Sequence, residues 1–287
     1  MPELPEVEAL ARFLAERTVG RVVASVTVGT ISALKTYAPA PAELAGRTVT
    51  GVTRHGKWLD LATQHGPHLL AHLSRAGWLR WYDIAPATPV RPGKSPIALR
   101  VVLDDGAGFD LTEAGTRKRL AVHIVTDPAE VELVASLGVD PLSDAFTVER
   151  LSALAAARNQ QVKGLLREQS QVAGIGNAYS DEILHAARMS PFTLTRSLTT
   201  DDLARLHGVI GEVLRQALAV ADGRPATELK DTKSRGMQVH GRAGQACPVC
   251  GDLVREVSFA DSALQYCPTC QTGGRLLADR RMSRLLR

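Results

Sequence analysis

The sequence predicts an α+β multidomain protein: a β-rich amino-terminal domain flanked by helices, a helical domain, and a small cysteine-bearing β-hairpin at the carboxy terminus. Three observations predict it. Short β-branched or alternating runs fill residues 21 to about 125, helical periodicity takes over near residue 148, and all four cysteines lie within residues 247–270.

A first helix is predicted over residues 4–18. Pro5 suits its first turn, Val7, Leu10, Ala11 and Leu14 recur at helical spacing, and Gly20 ends it. The runs RVVASVTV, RTVTGVTR, HLLAHL, GWLRWY, ALRVVL and LAVHIV then follow, broken by Gly, Pro and Asp, and read as a sandwich or a barrel. PATPVRPGKSP (86–96) reads as a surface loop. Residues 126–147, with the apolar turn VELVASLG, are expected to link the domains. Helices are predicted over 148–157, 160–168, 177–188 and 199–221, and ADGRPATELKDTKSRG (221–236) reads as a polar connector. The expected domains are therefore 1–125, 148–236 and 237–271, with a basic tail over 272–287.

Composition narrows the function classes. At 45% hydrophobic and 22% charged residues the chain is globular, and it has no apolar run long enough to span a membrane. The start, MPELPEVEAL, lacks the basic and apolar regions of a secretory signal, so a cytoplasmic location is expected. Net charge is +4, yet residues 233–287 hold nine Lys or Arg against four Asp or Glu. A basic end on a near-neutral body fits a polyanionic partner or a solvated tail.

Cys247-x2-Cys250 and Cys267-x2-Cys270 stand sixteen residues apart. Each pair forms a knuckle that aims two thiolates at one point, and the gap fits a hairpin. Four thiolates complete a tetrahedral zinc shell and leave no position for water, so one structural zinc ion is expected. A redox reading lacks the strand and helix context that such a motif needs.

Pro2 carries a second possibility. Once Met1 is removed, its secondary amine is far less basic than lysine and can attack an aldehyde-level carbon to form an iminium. Glu3 and Glu6 follow at once, and a carboxyl can deliver a proton to a leaving or ring oxygen. Acids at a helix start also complement its dipole, so both readings stand on these residues alone.

PELPEVE (2–8), GIGNAYSDEIL (174–184) and VHGRAGQACPVCG…YCPTCQ (239–271) together resemble the Fpg/Nei family of DNA glycosylases in order and spacing. The resemblance covers nearly the whole chain and implies a β-sandwich flanked by helices, a helix-two-turn-helix domain and a zinc ribbon. It implies base excision from damaged, oxidised-type DNA with strand cleavage: the nucleotide is flipped out, Pro2 attacks C1′, Glu3 protonates the sugar ring oxygen and Glu6 supports the site. It also implies that Lys57, Lys163 and Asn177 contact phosphate, while Tyr179 and Glu182 are mainly structural. A monomer with no nucleotide cofactor is expected.

Three positions depart from the family pattern. Ser262 stands where the ribbon hairpin carries an arginine, leaving Arg255 and the tail residues Arg275, Arg280, Arg281 and Arg284 as candidate replacements. Arg75 stands where a methionine wedge is expected, and TEAGTRKRL (112–120) lacks the wedge's aromatic residue. Only seven residues separate LKD (229–231) from VHGR, so 8-oxoguanine is not singled out as the lesion. The alternative reading is a DNA-binding protein on this fold that does not excise bases and has at most lyase activity.

Overall fold

A computed structural model describes residues 1–93, 95–114, 118–259 and 262–278. The chain forms two compact units, Met1–Leu137 with Val220–Lys230, and Gly138–Ala219 with Asp231–Arg287.

The first unit opens with helix α1 (Leu4–Thr18), whose Leu4, Val7, Leu10, Ala11 and Leu14 are buried on one face. Among the described residues eight strands follow: β1 (Val23–Val28), β2 (Val49–His55), β3 (Trp58–Thr63), β4 (His68–His72), β5 (Gly77–Tyr82), β6 (Ile97–Leu103), β7 (Gly108–Glu113) and β8 (Ala121–Val125). They build two four-stranded antiparallel sheets, ordered β1-β6-β7-β5 and β2-β3-β4-β8, the sandwich that the resemblance implies.

Strands β3 and β7 are absent from the sequence prediction. Both are interior strands, buried on both faces except at one position each, so neither shows period-two alternation. Each also carries a buried aspartate. Asp60 accepts from His55 Nε2 at 3.0 Å and His68 Nδ1 at 2.8 Å, while Asp110 takes a bidentate pair from Arg100 at 2.7 and 2.9 Å. Those partners come from neighbouring strands, and without them a buried carboxylate would be prohibitive.

The segment expected as a linker divides. Residues 126–137 include a short helix α2 (Glu132–Ala135), and Val131 and Val134 pack on Trp58, Leu70 and Val125 of the sandwich. Residues 221–236 are not simply a connector either. Trp78 Nε1 donates to Ala226 O at 2.8 Å and the Lys230 ammonium lies 4.6 Å from the Trp78 ring centre, which hold this segment to β5. Ala226 and Leu229 are buried, the apolar anchors inside an otherwise polar run.

The second unit contains α3 (Val148–Ala157), α4 (Val162–Arg167) and α5 (Asn177–Ala186). Helix α6 (Thr200–Ala221) reaches the end of the unit's first stretch, and a further helix, α7 (Leu229–Gly236), leads into the second. The hairpin β9 (Arg255–Ser258) and β10 (Ala263–Tyr266) follows, then α8 (Pro268–Thr272). Among the described residues no helix is long and apolar enough to cross a membrane.

Candidate active site, nucleic-acid interface and metal centre

Pro2, Glu3 and Glu6 are all buried at the front of α1, while Met1 is 47% exposed. Glu3 is the N-cap residue, and the Glu6 carboxylate accepts its backbone N–H at 2.8 Å. Glu6 therefore fixes the backbone that carries Glu3. Behind them, Glu8 pairs with Arg54 of β2 at 3.0 Å, tying the helix to the sheet.

Lys57 lies in the two-residue turn between β2 and β3, where Gly56 takes a positive φ of 55°. Its side chain is largely buried, and its charge reaches His72. Burial first, and Lys57 second, lower the His72 pKa to about 4, so this imidazole stays neutral at physiological pH. His72 also packs against Trp58, with ring centres 4.9 Å apart and ring planes tilted by 48°. Arg75 is exposed in the turn from β4 to β5. That turn is tight: a Cβ on Gly77 would stand 2.1 Å from Leu73 O. Beyond it, buried Glu113 accepts from the N–H groups of Arg119 and Leu120 at 2.7 and 3.0 Å, while residues 115–117 of the expected wedge lie outside the described residues.

In the second unit, the loop before α5 is stapled by Gln169, which accepts from Gly174 N at 3.0 Å and donates to Ile175 O at 2.7 Å. Gly174 adopts φ +91°, a conformation that favours glycine. Gly176 is the N-cap of α5, so Asn177 is not the cap. The Asn177 Nδ2 instead donates to Ala263 O of β10 at 2.7 Å, and its buried Oδ1 has no hydrogen-bond partner among the described residues.

Lys163 is enclosed by the start of α5. It is 5% exposed, and its ammonium bonds Asp181 at 2.6 Å, Ser180 at 2.7 Å and Asn177 O at 3.3 Å. A charge so enclosed organises the start of α5. Asp181 also accepts from His240 Nδ1 at 2.7 Å, and Glu182 accepts three backbone N–H groups, from Gln238, Val239 and His240, at 2.7, 3.0 and 2.8 Å. Burial raises the Glu182 pKa, against those three bonds.

The cysteines converge. Cys250 and Cys267 Sγ lie 3.3 Å apart, Cys247 and Cys270 3.9 Å. A tetrahedral zinc tetrathiolate with bonds of about 2.3 Å has S···S edges of about 3.8 Å, so the spacing fits the ion. Burial pushes the Cys267 thiol up to about 11 and the Cys270 thiol higher still, the cost that a divalent cation offsets on binding. Asp252 joins the two knuckles by accepting from Thr269 Oγ1 at 2.8 Å. Val239 and Val254 pack around the cysteines as a small apolar cluster.

Three family sequence models match this chain: the formamidopyrimidine-DNA glycosylase N-terminal domain over residues 1–122, the formamidopyrimidine-DNA glycosylase H2TH domain over 137–228, and the zinc finger found in FPG and IleRS over 244–273. The chain belongs to the formamidopyrimidine-DNA glycosylase family. A formamidopyrimidine-DNA glycosylase of Symbiobacterium thermophilum is 37% identical over 94% of this chain and 89% of its own. A Mycobacterium tuberculosis formamidopyrimidine-DNA glycosylase-like protein is 51% identical over 53% of this chain and 95% of its own. Among solved structures, the Lactococcus lactis enzyme in complex with abasic-site DNA superposes with a TM-score of 0.82 at 26% identity, covering 94% and 99% of the two chains. The Thermus thermophilus enzyme gives 0.79 at 31% identity, covering 94% and 98%.

Within this family member the cysteine module carries one structural zinc ion, as its spacing predicts. Arg255 is exposed on β9 and Arg275 is exposed after α8, whereas Arg280, Arg281 and Arg284 lie outside the described residues. Sequence reasoning passed over His72, Gln169 and His240. The first stands in HLLAHL, where it reads as an ordinary strand residue. The other two act through partners 5 to 59 residues away, which no local pattern encodes.

Proposed function

We propose that this chain is a DNA glycosylase of base excision repair that also cleaves the strand, with Pro2 as nucleophile. The observation that carries the reading is the burial of Pro2, Glu3 and Glu6 together at the front of α1. Removal of Met1 frees a secondary amine, and a buried amine favours its neutral, nucleophilic form. Its lone pair bonds to C1′ of the damaged nucleotide as the bond to the base breaks. Glu3 delivers a proton to the sugar ring oxygen, the ring opens, and the iminium at C1′ acidifies the C2′ proton. Loss of that proton expels the 3′ phosphate.

Lys57, beside the neutral His72, and Arg75 supply phosphate and base-gap contacts in the first unit. Asn177 with the glycine loop and Arg255 supply them in the second. Zinc, when bound, holds the ribbon folded, and no step of the chemistry runs through it. The reading includes action in the cytoplasm, on the nucleoid, as a monomer without a nucleotide cofactor. Light scattering during gel filtration tests the monomer.

Borohydride trapping on abasic-site DNA tests the chemistry. The mature chain is expected to give a covalent adduct, and a chain with glycine placed ahead of Pro2 to give none, because its proline nitrogen is an amide. Equal trapping by the capped chain overturns the assignment. Ser262 in place of the hairpin arginine favours the second reading, a lesion binder without excision. That reading requires tight DNA binding with no release of any base from a panel of damaged oligonucleotides.

A further inference from the structure

Helix α5 carries the ribbon on one face. Asn177, Asp181 and His185 recur every four residues, and each reaches the module: Asn177 to Ala263 O, Asp181 to His240, and His185 Nε2 to within 3.3 Å of Cys247 Sγ. His185 is 4% exposed. Its nitrogen and the Sγ atoms of Cys247, Cys267 and Cys270 all lie within 4.8 Å of one another, a second four-donor set that omits Cys250. Cys250 is the exposed cysteine of the four.

We propose that His185 is a reserve ligand of the zinc centre. The ion is held by four thiolates, and when Cys250 is lost or blocked the shell closes through His185 Nε2. The inference rests on the zinc reading of the cysteine module. Three thiolates and one imidazole are an ordinary zinc shell, and its N···S edge is about 3.5 Å, close to the 3.3 Å already present to Cys247. With Cys247 as a thiolate, His185 Nε2–H would be the donor of their 3.3 Å contact, which would keep the ring aimed at the site. On exchange the Cys250 sulfur would leave the ion, His185 Nε2 would give its proton to solvent while Nδ1 takes one up, and the freed Nε2 lone pair would fill the vacated position. The thiolate that an electrophile reaches first is thereby the one the centre can do without.

The full chain is prepared with zinc as wild type, Cys250→Ala, His185→Gln and the double variant. Glutamine keeps an N–H donor near Cys247 but has no imidazole, which separates ligation from hydrogen bonding. Zinc per chain is measured after dialysis, and cobalt(II) replaces zinc for spectroscopy. Wild type and His185→Gln are expected to hold one ion with a four-thiolate spectrum. Cys250→Ala is expected to keep its ion, with sulfur-to-cobalt charge transfer lower by about a quarter, as three thiolates replace four. The double variant is expected to lose the ion. Loss of zinc from Cys250→Ala as complete as from the double variant overturns the proposal, as does a Cys250→Ala cobalt spectrum that His185→Gln leaves unchanged. A wild-type chain without zinc overturns the metal reading itself.

Discussion

Lys163→Met decides between two roles for that lysine. Lys163 is 5% exposed and its ammonium sits 2.6 Å from Asp181, which is 1% exposed. Removing the cation leaves a buried carboxylate, a change that costs about 3–5 kcal/mol. Asp181 keeps its bonds from His240 Nδ1 at 2.7 Å and Gln265 N at 3.3 Å, so the lower end applies, about 3 kcal/mol. For a unit of this size that corresponds to a fall in Tm of about 10 °C. Calorimetry of the zinc-loaded chain measures it, and the salt dependence of DNA binding is measured alongside at a temperature where the variant is folded. A phosphate-contacting lysine would instead lower the slope of log K against log salt by about 0.9, with little change in stability. A Tm within about 2 °C of wild type, with that drop in slope, refutes the buried-pair argument.

Four further outcomes follow from other contacts in the structure. His72 titrates near 4 in the folded chain and near 6.5 unfolded, so stability is full above pH 6.5 and falls as pH drops toward 4, by at most about 3 kcal/mol; His72→Gln removes that part of the urea-midpoint profile. Lys57→Met removes the second cause of the shift, and NMR titration is expected to show the His72 pKa moving up. Glu182→Ala strips the acceptor from three backbone N–H groups and is expected to cost about 3 kcal/mol, with hydrogen exchange accelerating at residues 238–240, whereas Glu182→Gln retains most of the protection. Gly77→Ala places a Cβ 2.1 Å from Leu73 O, so the turn bearing Arg75 must open; a loss of about 2 kcal/mol or more is expected by denaturant unfolding, and a neutral result contradicts the close approach.

Features that local pattern encodes are legible along the chain. Helix α1 was legible because its apolar residues recur at helical spacing and Gly20 stops it, and the metal centre because Cys-x2-Cys spacing alone aims two thiolates together. The order of PELPEVE, the GIGN loop and the cysteine pairs carries the family signature along the chain. Tertiary structure decided whatever depends on partners distant in sequence. Interior strands β3 and β7 hide because burial on both faces erases alternation, and Asp60 and Asp110 look like loop residues until His55, His68 and Arg100 stand beside them. Lys163 reads as a surface cation until Asp181, eighteen residues on, encloses it. Residues 220–230 join the first unit because Trp78 finds Ala226 O across 148 residues. Spacing along the chain fixes which neighbours share a face; only folding fixes which distant charges and donors share a dielectric, and that decides whether a lysine meets DNA or a buried carboxylate.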